Sequence, residues 1–425
     1  MRPILQTALG TLCAVLFAAA APAHAADPAS DAPDDLDALS LADKAPAVAQ
    51  APTNWRAYVE GAVGRDGWQG APGTNSSRAA FDLRYDGTLA PGLRAVLSDR
   101  FDHARRGSPR HERNVNSLRE AYLSWQRSPD LIVDAGRVNL RHGAAWGFNP
   151  TDYFKAGALR AIVSPDPASL RENRLGTVVL QGQKLWSDSS FSAALSPRLD
   201  NRPSDATFSL DLGATNAHDR WLLAGSHKFG DRFNPQLLLY GGGGTSTQLG
   251  LNLSTLLNDA TVAFAEFSTG QDRTLIARAL DRAAPEHTQR RAAVGLTYTT
   301  SFNLSFTAEA DYNSAAPDRA QWDALSAADR LRVLDASQTL QDLPVRRAAF
   351  FYATWKDLLV KRLDLSAFVR HDAVTHSRAQ WIETRYHWDR ADLALQWQLN
   401  SGRSGSVFGS VPQERAVEVS LRWFL

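Results

Sequence analysis

The sequence predicts an all-β fold: a transmembrane, antiparallel up-and-down barrel of about 18 strands, with about 16 as the neighbouring solution, since bacterial single-chain barrels have even numbers. Short helices are expected in its long extracellular loops. Three observations lead there. From Trp55 onward, apolar and polar residues alternate with period two over most of the chain. Past the N-terminus no stretch approaches the roughly 20 apolar residues of a spanning helix, and Ala348–Tyr352 is typical of the longest apolar runs. The last segment, Glu414 to Leu425, is itself an amphipathic strand.

The alternation is explicit. Leu304, Phe306, Ala308, Ala310 and Tyr312 interleave with Ser305, Thr307, Glu309 and Asp311. Leu393, Leu395, Trp397 and Leu399 interleave with Asp392, Ala394, Gln396 and Gln398. Leu363, Leu365, Ala367 and Val369 do the same, except that Phe368 interrupts the polar row. Successive strand side chains point to opposite faces, so one face is apolar and the other charged. A soluble sandwich also alternates. The barrel is favoured because the segments run to about ten residues, enough to cross a bilayer at a tilt. Several also end in tryptophan: Trp125, Trp186, Trp221, Trp388 and Trp423. Indoles prefer the membrane–water interface.

About nineteen segments read as strands by this criterion, one of them beginning near Thr207 in the weakest stretch, 206–260. Short connections include Arg127–Asp130, Trp186–Asp188 and Trp388–Arg390; long ones include Asn139–Asn173, Thr269–His287 and Ala315–Pro344. Short periplasmic turns and long extracellular loops are the pattern of outer-membrane barrels. Two long loops have helical stripes, one through Leu275, Ile276, Ala279 and Leu280, the other through Trp322, Leu325, Leu331 and Leu334. Gly241–Gly244 suits a turn or bend, not a phosphate loop, because no Lys-Ser/Thr follows it.

The N-terminus reads as a signal peptide over residues 1–25: Arg2, an apolar run from Ile4 to Ala20, and Ala23-His24-Ala25 as the cleavage site. Residues 26–53, rich in Ala, Asp and Pro, read as a disordered periplasmic leader, and a short helix over Asp35–Lys44 is allowed there. Cys13, the single cysteine, falls in the removed segment, so the expected barrel domain, 54–425, has no disulfide.

With 46 basic and 45 acidic residues the net charge is +1, which argues against a nucleic-acid partner. Within one long loop the charges cluster. Arg137, Arg141, Arg160, Arg171 and Arg174 are opposed by Asp152, Asp166 and Glu172. If that loop folds into the lumen, these residues form a constriction with a transverse field; charged patches of this kind set pore selectivity, and the guanidinium fork suits carboxylates and phosphates. The alternative is solvated loop charge. The expected pore-constriction set is Arg137, Arg141, Asp152, Arg160, Arg171 and Arg174.

The final row, Val417, Val419, Leu421, Trp423 and Leu425, resembles the terminal strand signal read by the barrel-assembly machinery, although Phe424 stands one place early. A second resemblance is carried by Leu118-Arg119-Glu120-Ala121-Tyr122-Leu123-Ser124-Trp125, by Asp134-Ala135-Gly136-Arg137, and by Trp146-Gly147-Phe148-Asn149-Pro150-Thr151-Asp152. This order is similar to large-loop porin-like barrels of proteobacteria, including alginate-export-type porins. Gln248–Ser254 and Val262–Phe267 extend the likeness to about a quarter of the chain in all. The resemblance implies a channel-like barrel in the Gram-negative outer membrane. The expected partners are lipid and lipopolysaccharide, and the expected function is passive diffusion of small polar solutes, anionic ones if the arginine cluster lines the lumen. It names no solute.

No cofactor or metal is expected. Asp102-His103 and His111-Glu112 lie in a charged stretch, but no CxxC, HExxH or EF-hand pattern supports them. His371 and His376, five apart, would face opposite sides of a regular strand. An outer-membrane hydrolase is a second reading, but no GxSxG elbow is present. A plugged structural or adhesive barrel is a third.

Overall fold

A computed structural model describes residues 54–106, 112–161, 163–230 and 233–425. The expected signal peptide, the expected leader with its allowed helix, and His111 lie outside the described residues.

Eighteen strands form one closed sheet. They are β1 (Trp55–Trp68), β2 (Ala71–Ala90), β3 (Leu93–Arg106), β4 (Glu112–Ser128), β5 (Leu131–Val138) and β6 (Thr177–Leu185). Next come β7 (Ser189–Ser196), β8 (Arg220–His227), β9 (Gln236–Gly242), β10 (Thr245–Asn258), β11 (Thr261–Asp272) and β12 (His287–Thr299). The wall ends with β13 (Leu304–Asn313), β14 (Arg347–Trp355), β15 (Leu363–Asp372), β16 (Ser377–His387), β17 (Ala391–Ser401) and β18 (Gln413–Phe424). Each strand pairs antiparallel with its sequence neighbours, and β18 closes on β1 with Tyr58 opposite Phe424. Closure leaves no strand edge, so the wall satisfies its own backbone, as hydrocarbon demands. Among the described residues no helix is long and apolar enough to cross a membrane.

Burial is inverted relative to a soluble protein. On β13, Phe306 and Tyr312 are 43% and 37% exposed, whereas Glu309 and Asp311 are 4% exposed. The apolar row faces outward and the polar row inward. β1 repeats the arrangement, with Val59 and Val63 outside and Glu60 inside. Trp125, Trp186, Trp388 and Trp423 all lie at the rim of short turns, and Trp221 at the rim of long loops. The short-turn girdle also includes Trp55.

Among the described residues, five α-helices sit in the long loops: α1 (Pro167–Glu172), α2 (Leu212–Thr215), α3 (Leu275–Ala279), α4 (Arg319–Asp323) and α5 (Ala327–Leu340). Leu275 on α3, Trp322 on α4 and Val333 on α5 share one apolar cluster with Val407. Leu331 does not join it and is 44% exposed. Of the expected stripe, Trp322, Leu325 and Leu334 reach the cluster across the break between Asp323 and Ala327, and Leu331 stays outside it.

Two further expectations are corrected. The segment near Thr207 is not a strand but part of the β7–β8 loop. Asp211 adopts a left-handed φ of 49°, which ends any extended run. The carbonyls of Ala206 and Ser209 accept from Arg160, at 2.6 and 2.7 Å, in place of a strand partner. Removing it reduces nineteen to the even number. His371 and His376 do not sit on one regular strand either. His376 lies in the turn after β15 with φ 59°, and the two rings come within 6.2 Å. Gly243 and Gly244 form the β9–β10 turn, as expected.

Candidate functional site: the loop across the lumen

The loop from β5 to β6, residues 139–176, folds inward and touches strands around the wall. It is held first by carboxylates on distant strands. The Ala145 amide donates to Glu266 Oε1 on β11 at 2.6 Å. The amides of Trp146, Gly147 and Phe148 all donate to Glu309 on β13, at 2.6, 2.9 and 3.2 Å. Arg370 on β15 donates to the Gly147 carbonyl at 2.6 Å. A peptide segment is thus clamped through its backbone by two acids and one guanidinium, and charge-assisted bonds of this kind are the stronger class.

Small residues make that approach feasible. Gly143 takes φ +86°, and a Cβ there would meet the Glu266 carboxylate. A Cβ on Gly147 would lie 2.5 Å from the Phe350 ring. Trp146 packs on a lumenal aromatic wall of Phe350, Tyr352, Phe368 and Trp381. Phe368, which broke the polar row in the sequence, is therefore part of the seat for the loop.

Beyond the clamp, Asn149 forms the turn. Its Oδ1 accepts from the Thr151 and Asp152 amides at 3.2 and 2.9 Å. Thr151 Oγ1 donates to Asn252 on β10 at 2.7 Å, and Tyr153 stacks on Tyr240 with centroids 4.6 Å apart. Lys155 Nζ donates to the Asn149 carbonyl at 2.7 Å and lies 3.4 Å from Asp342 in the β13–β14 loop. Burial pulls the Lys155 ammonium below its usual range. Burial alone would raise Asp342, but Lys155 and Arg291 outweigh it and hold the carboxyl below the usual range. The return segment crosses to the other side. Tyr352 Oη donates to Asp166 at 2.9 Å, and burial raises the Asp166 carboxyl. Ser164 reaches Gln396 on β17 at 3.4 Å, Glu172 lies 3.9 Å from Arg56 on β1, and Arg119 on β4 donates to Asn173 at 2.7 Å.

The wall from β18 through β1 to β4 is built differently. Glu60 accepts from Arg78, from Arg100 at 3.0 Å and from Arg422 at 3.0 Å. Arg100 also pairs with Asp102, Arg119 with Asp82 at 2.7 Å, and Arg78 with Glu418 at 2.9 Å. Four guanidiniums meet four carboxylates, all side chain to side chain.

The structure does not gather the six expected constriction residues into one ring. Arg174 and Asp152 pair with each other, and Arg174 also donates to Asn139 Oδ1 and the Leu140 carbonyl. Arg160 ties this loop to the β7–β8 loop through the two carbonyls above and Asp211 at 3.5 Å. Arg137 donates to the Leu118 carbonyl at 2.9 Å and Thr215 at 3.4 Å. Arg171 bonds to the Ala145 carbonyl and lies 4.4 Å over the Trp146 ring, half-buried. Arg141 is solvent-exposed. The clamp residues Glu266, Glu309 and Arg370 escaped the sequence reading of the site. A glycine-rich, small-residue run, Gly143-Ala144-Ala145-Trp146-Gly147, was the available signal.

A closed 18-strand wall, an apolar outer belt and an in-folded β5–β6 loop define a Gram-negative outer-membrane-type barrel with a porin-like fold. Solved structures agree. The chain is similar to Pseudomonas aeruginosa OccK2 (OpdF), with TM-score 0.56, 11% identity, and 88% of this chain and 98% of that one covered. It is also similar to Acinetobacter baumannii OccAB1, with TM-score 0.55, 12% identity, and coverage of 89% and 99%. A BenF-like porin from Pseudomonas fluorescens Pf-5 gives TM-score 0.53, 12% identity, and coverage of 88% and 98%. No family model matches the sequence, and no curated protein matches it.

Proposed function

We propose that the protein is a passive channel of the Gram-negative outer membrane, with a lumen narrowed by the β5–β6 loop, for small polar solutes. The observation that carries this reading is the loop clamped across a polar-lined barrel by Glu266, Glu309 and Arg370. On the short-turn side of the loop, inward side chains such as Arg84, Glu120, Glu383 and Arg385 keep solvent exposure, as a water-filled vestibule requires. The solute gradient drives transport, and no catalytic step is assigned.

Within the arginine-rich loop, Arg141 and Arg171 are the groups that retain access to water, so they are the ones that bias the field toward anions. Arg137, Arg160 and Arg174 act through the fold of the loop. Single-channel recording of the purified protein in a planar bilayer tests the reading: discrete ohmic steps are expected, and a silent barrel would favour a plugged structural role. In asymmetric salt, Arg141→Gln with Arg171→Gln shifts the reversal potential toward cation selectivity. An unmoved potential removes the anionic preference and leaves the channel standing.

A further inference from the structure

The outer wall carries a charge asymmetry that the channel reading does not use. On the eight adjoining strands β12 to β18 and β1, no outward-facing row contains an acid. Those rows do contain cations, and all of them lie at the long-loop rim. Arg290 shares its row with exposed Val294, Arg347 with Phe351, Arg378 with Ile382, Arg415 with Val417, and Arg65 with Val63. Register spaces them along one rim, mostly on every second strand. Tyr312 on β13 faces Arg347, His371 faces Arg378, and Arg378 faces Ser401. Leu399 faces Arg415, and Val417 faces Arg65. Of the acids of that rim on β1 and β18, Asp66 falls on the inward row, and Glu414 is exposed at the register shift beside Arg415.

The five arginines are exposed, and none has a carboxylate partner among the described residues. This contrasts with the lumen, where Arg78, Arg100, Arg119 and Arg422 are each ion-paired. Immediately below them the outward rows turn apolar at Ala292, Ala349, Val417 and Val63, and below Arg378 after one further residue, at Ile382 beyond Gln380. The cations therefore sit at headgroup depth. Above the row, the His376 ring lies 6.2 Å from the His371 ring and borders a recess of about 140 Å³. Arg319, Arg330 and Arg403 also line it, with Asp323 held by Arg319 at 2.6 Å.

We infer that this face, from β12 round to β1, docks phosphate-bearing lipid headgroups of the leaflet at the long-loop rim. Guanidinium forks match phosphate oxygens in pairs, and a row of unpaired cations over an apolar belt fits a lipid that offers phosphate and acyl chains together. Binding is read without conductance, so failure of the channel reading leaves it intact.

The test uses the full chain folded in zwitterionic detergent and fluorescent lipid A carrying both phosphates, followed by anisotropy. The variant Arg347→Gln/Arg378→Gln/Arg415→Gln is expected to bind about tenfold more weakly or worse. Dephosphorylated lipid A should bind the native protein as weakly as that. The matching Arg→Lys triple should retain most of the affinity, and Arg127→Gln, at the short-turn rim, should change nothing. Heat-modifiable migration checks folding. If the Gln triple fails to fold, Arg347→Gln and Arg378→Gln singly should each weaken binding about threefold. Equal affinity of native and Gln proteins, indifference to the lipid phosphates, or full displacement by millimolar inorganic phosphate would each overturn the proposal.

Discussion

Two walls of the same lumen hold their charges in different ways. From β18 to β4, four arginines and four carboxylates satisfy one another, with Glu60 shared by three guanidiniums. From β11 to β15, the acids Glu266 and Glu309 turn instead to the backbone amides of the β5–β6 loop, beside an aromatic seat. The first wall is redundant, because Glu60, Arg78, Arg100 and Asp82 each have more than one charged partner. The second is specific, because a single carboxylate holds three amides. One wall stiffens the barrel, and the other determines where the obstruction stands.

That contrast can be broken most severely at Glu309. Glu309→Ala leaves three amides without their acceptor and should cost about 4 kcal/mol, given about 1.5–3 kcal/mol for a hydrogen bond to a charged group. The loop should undock, which limited proteolysis within 142–160 and a larger, noisier conductance would report. Glu309→Gln, which keeps one acceptor oxygen, should be milder. Next in size, Arg100→Met on the redundant wall should lower stability by about 2 kcal/mol, since breaking one partner of a buried ion pair is destabilising. It should leave protease resistance of the loop unchanged. If Arg100→Met released the loop as readily as Glu309→Ala, the division between the walls would fail.

The smallest effect concerns pH. Asp342 is held below the ordinary carboxylate range in the folded protein. A depressed acid stabilises fully above its unfolded value and loses that contribution as pH falls through the folded one. The protection factors of the amides over 149–157, which remove the intrinsic pH dependence of exchange, should therefore fall in acid, on the low side of the usual aspartate range. Asp342→Asn should flatten that dependence. A profile identical in the two proteins would mean that Lys155 is held by its carbonyl contact alone.

The wall was readable because period two reports directly which side chains meet lipid, and the Leu304–Tyr312 row came out as expected. The false strand at Thr207 shows the limit of the pattern. Alternation over five residues does not say whether a neighbouring strand or an arginine will take the carbonyls. Glu266 and Glu309 were illegible as anchors for a related reason. They occupy ordinary places on polar rows, and their partners lie 121 and 161–163 residues away. Phe368 was legible only as an anomaly, yet it marked the aromatic seat. The arginine cluster was visible, but composition cannot distinguish a guanidinium in water from one spent on a carbonyl, as Arg160 is.

The distance from Trp146 to Glu309 also imposes an order of assembly. The obstructing segment is made 163 residues before the carboxylate that fixes it. Contacts so far apart in sequence form late, after the intervening chain has been ordered. A half-built barrel therefore has no fixed partition, and the bore acquires its final calibre as one of the last events of folding.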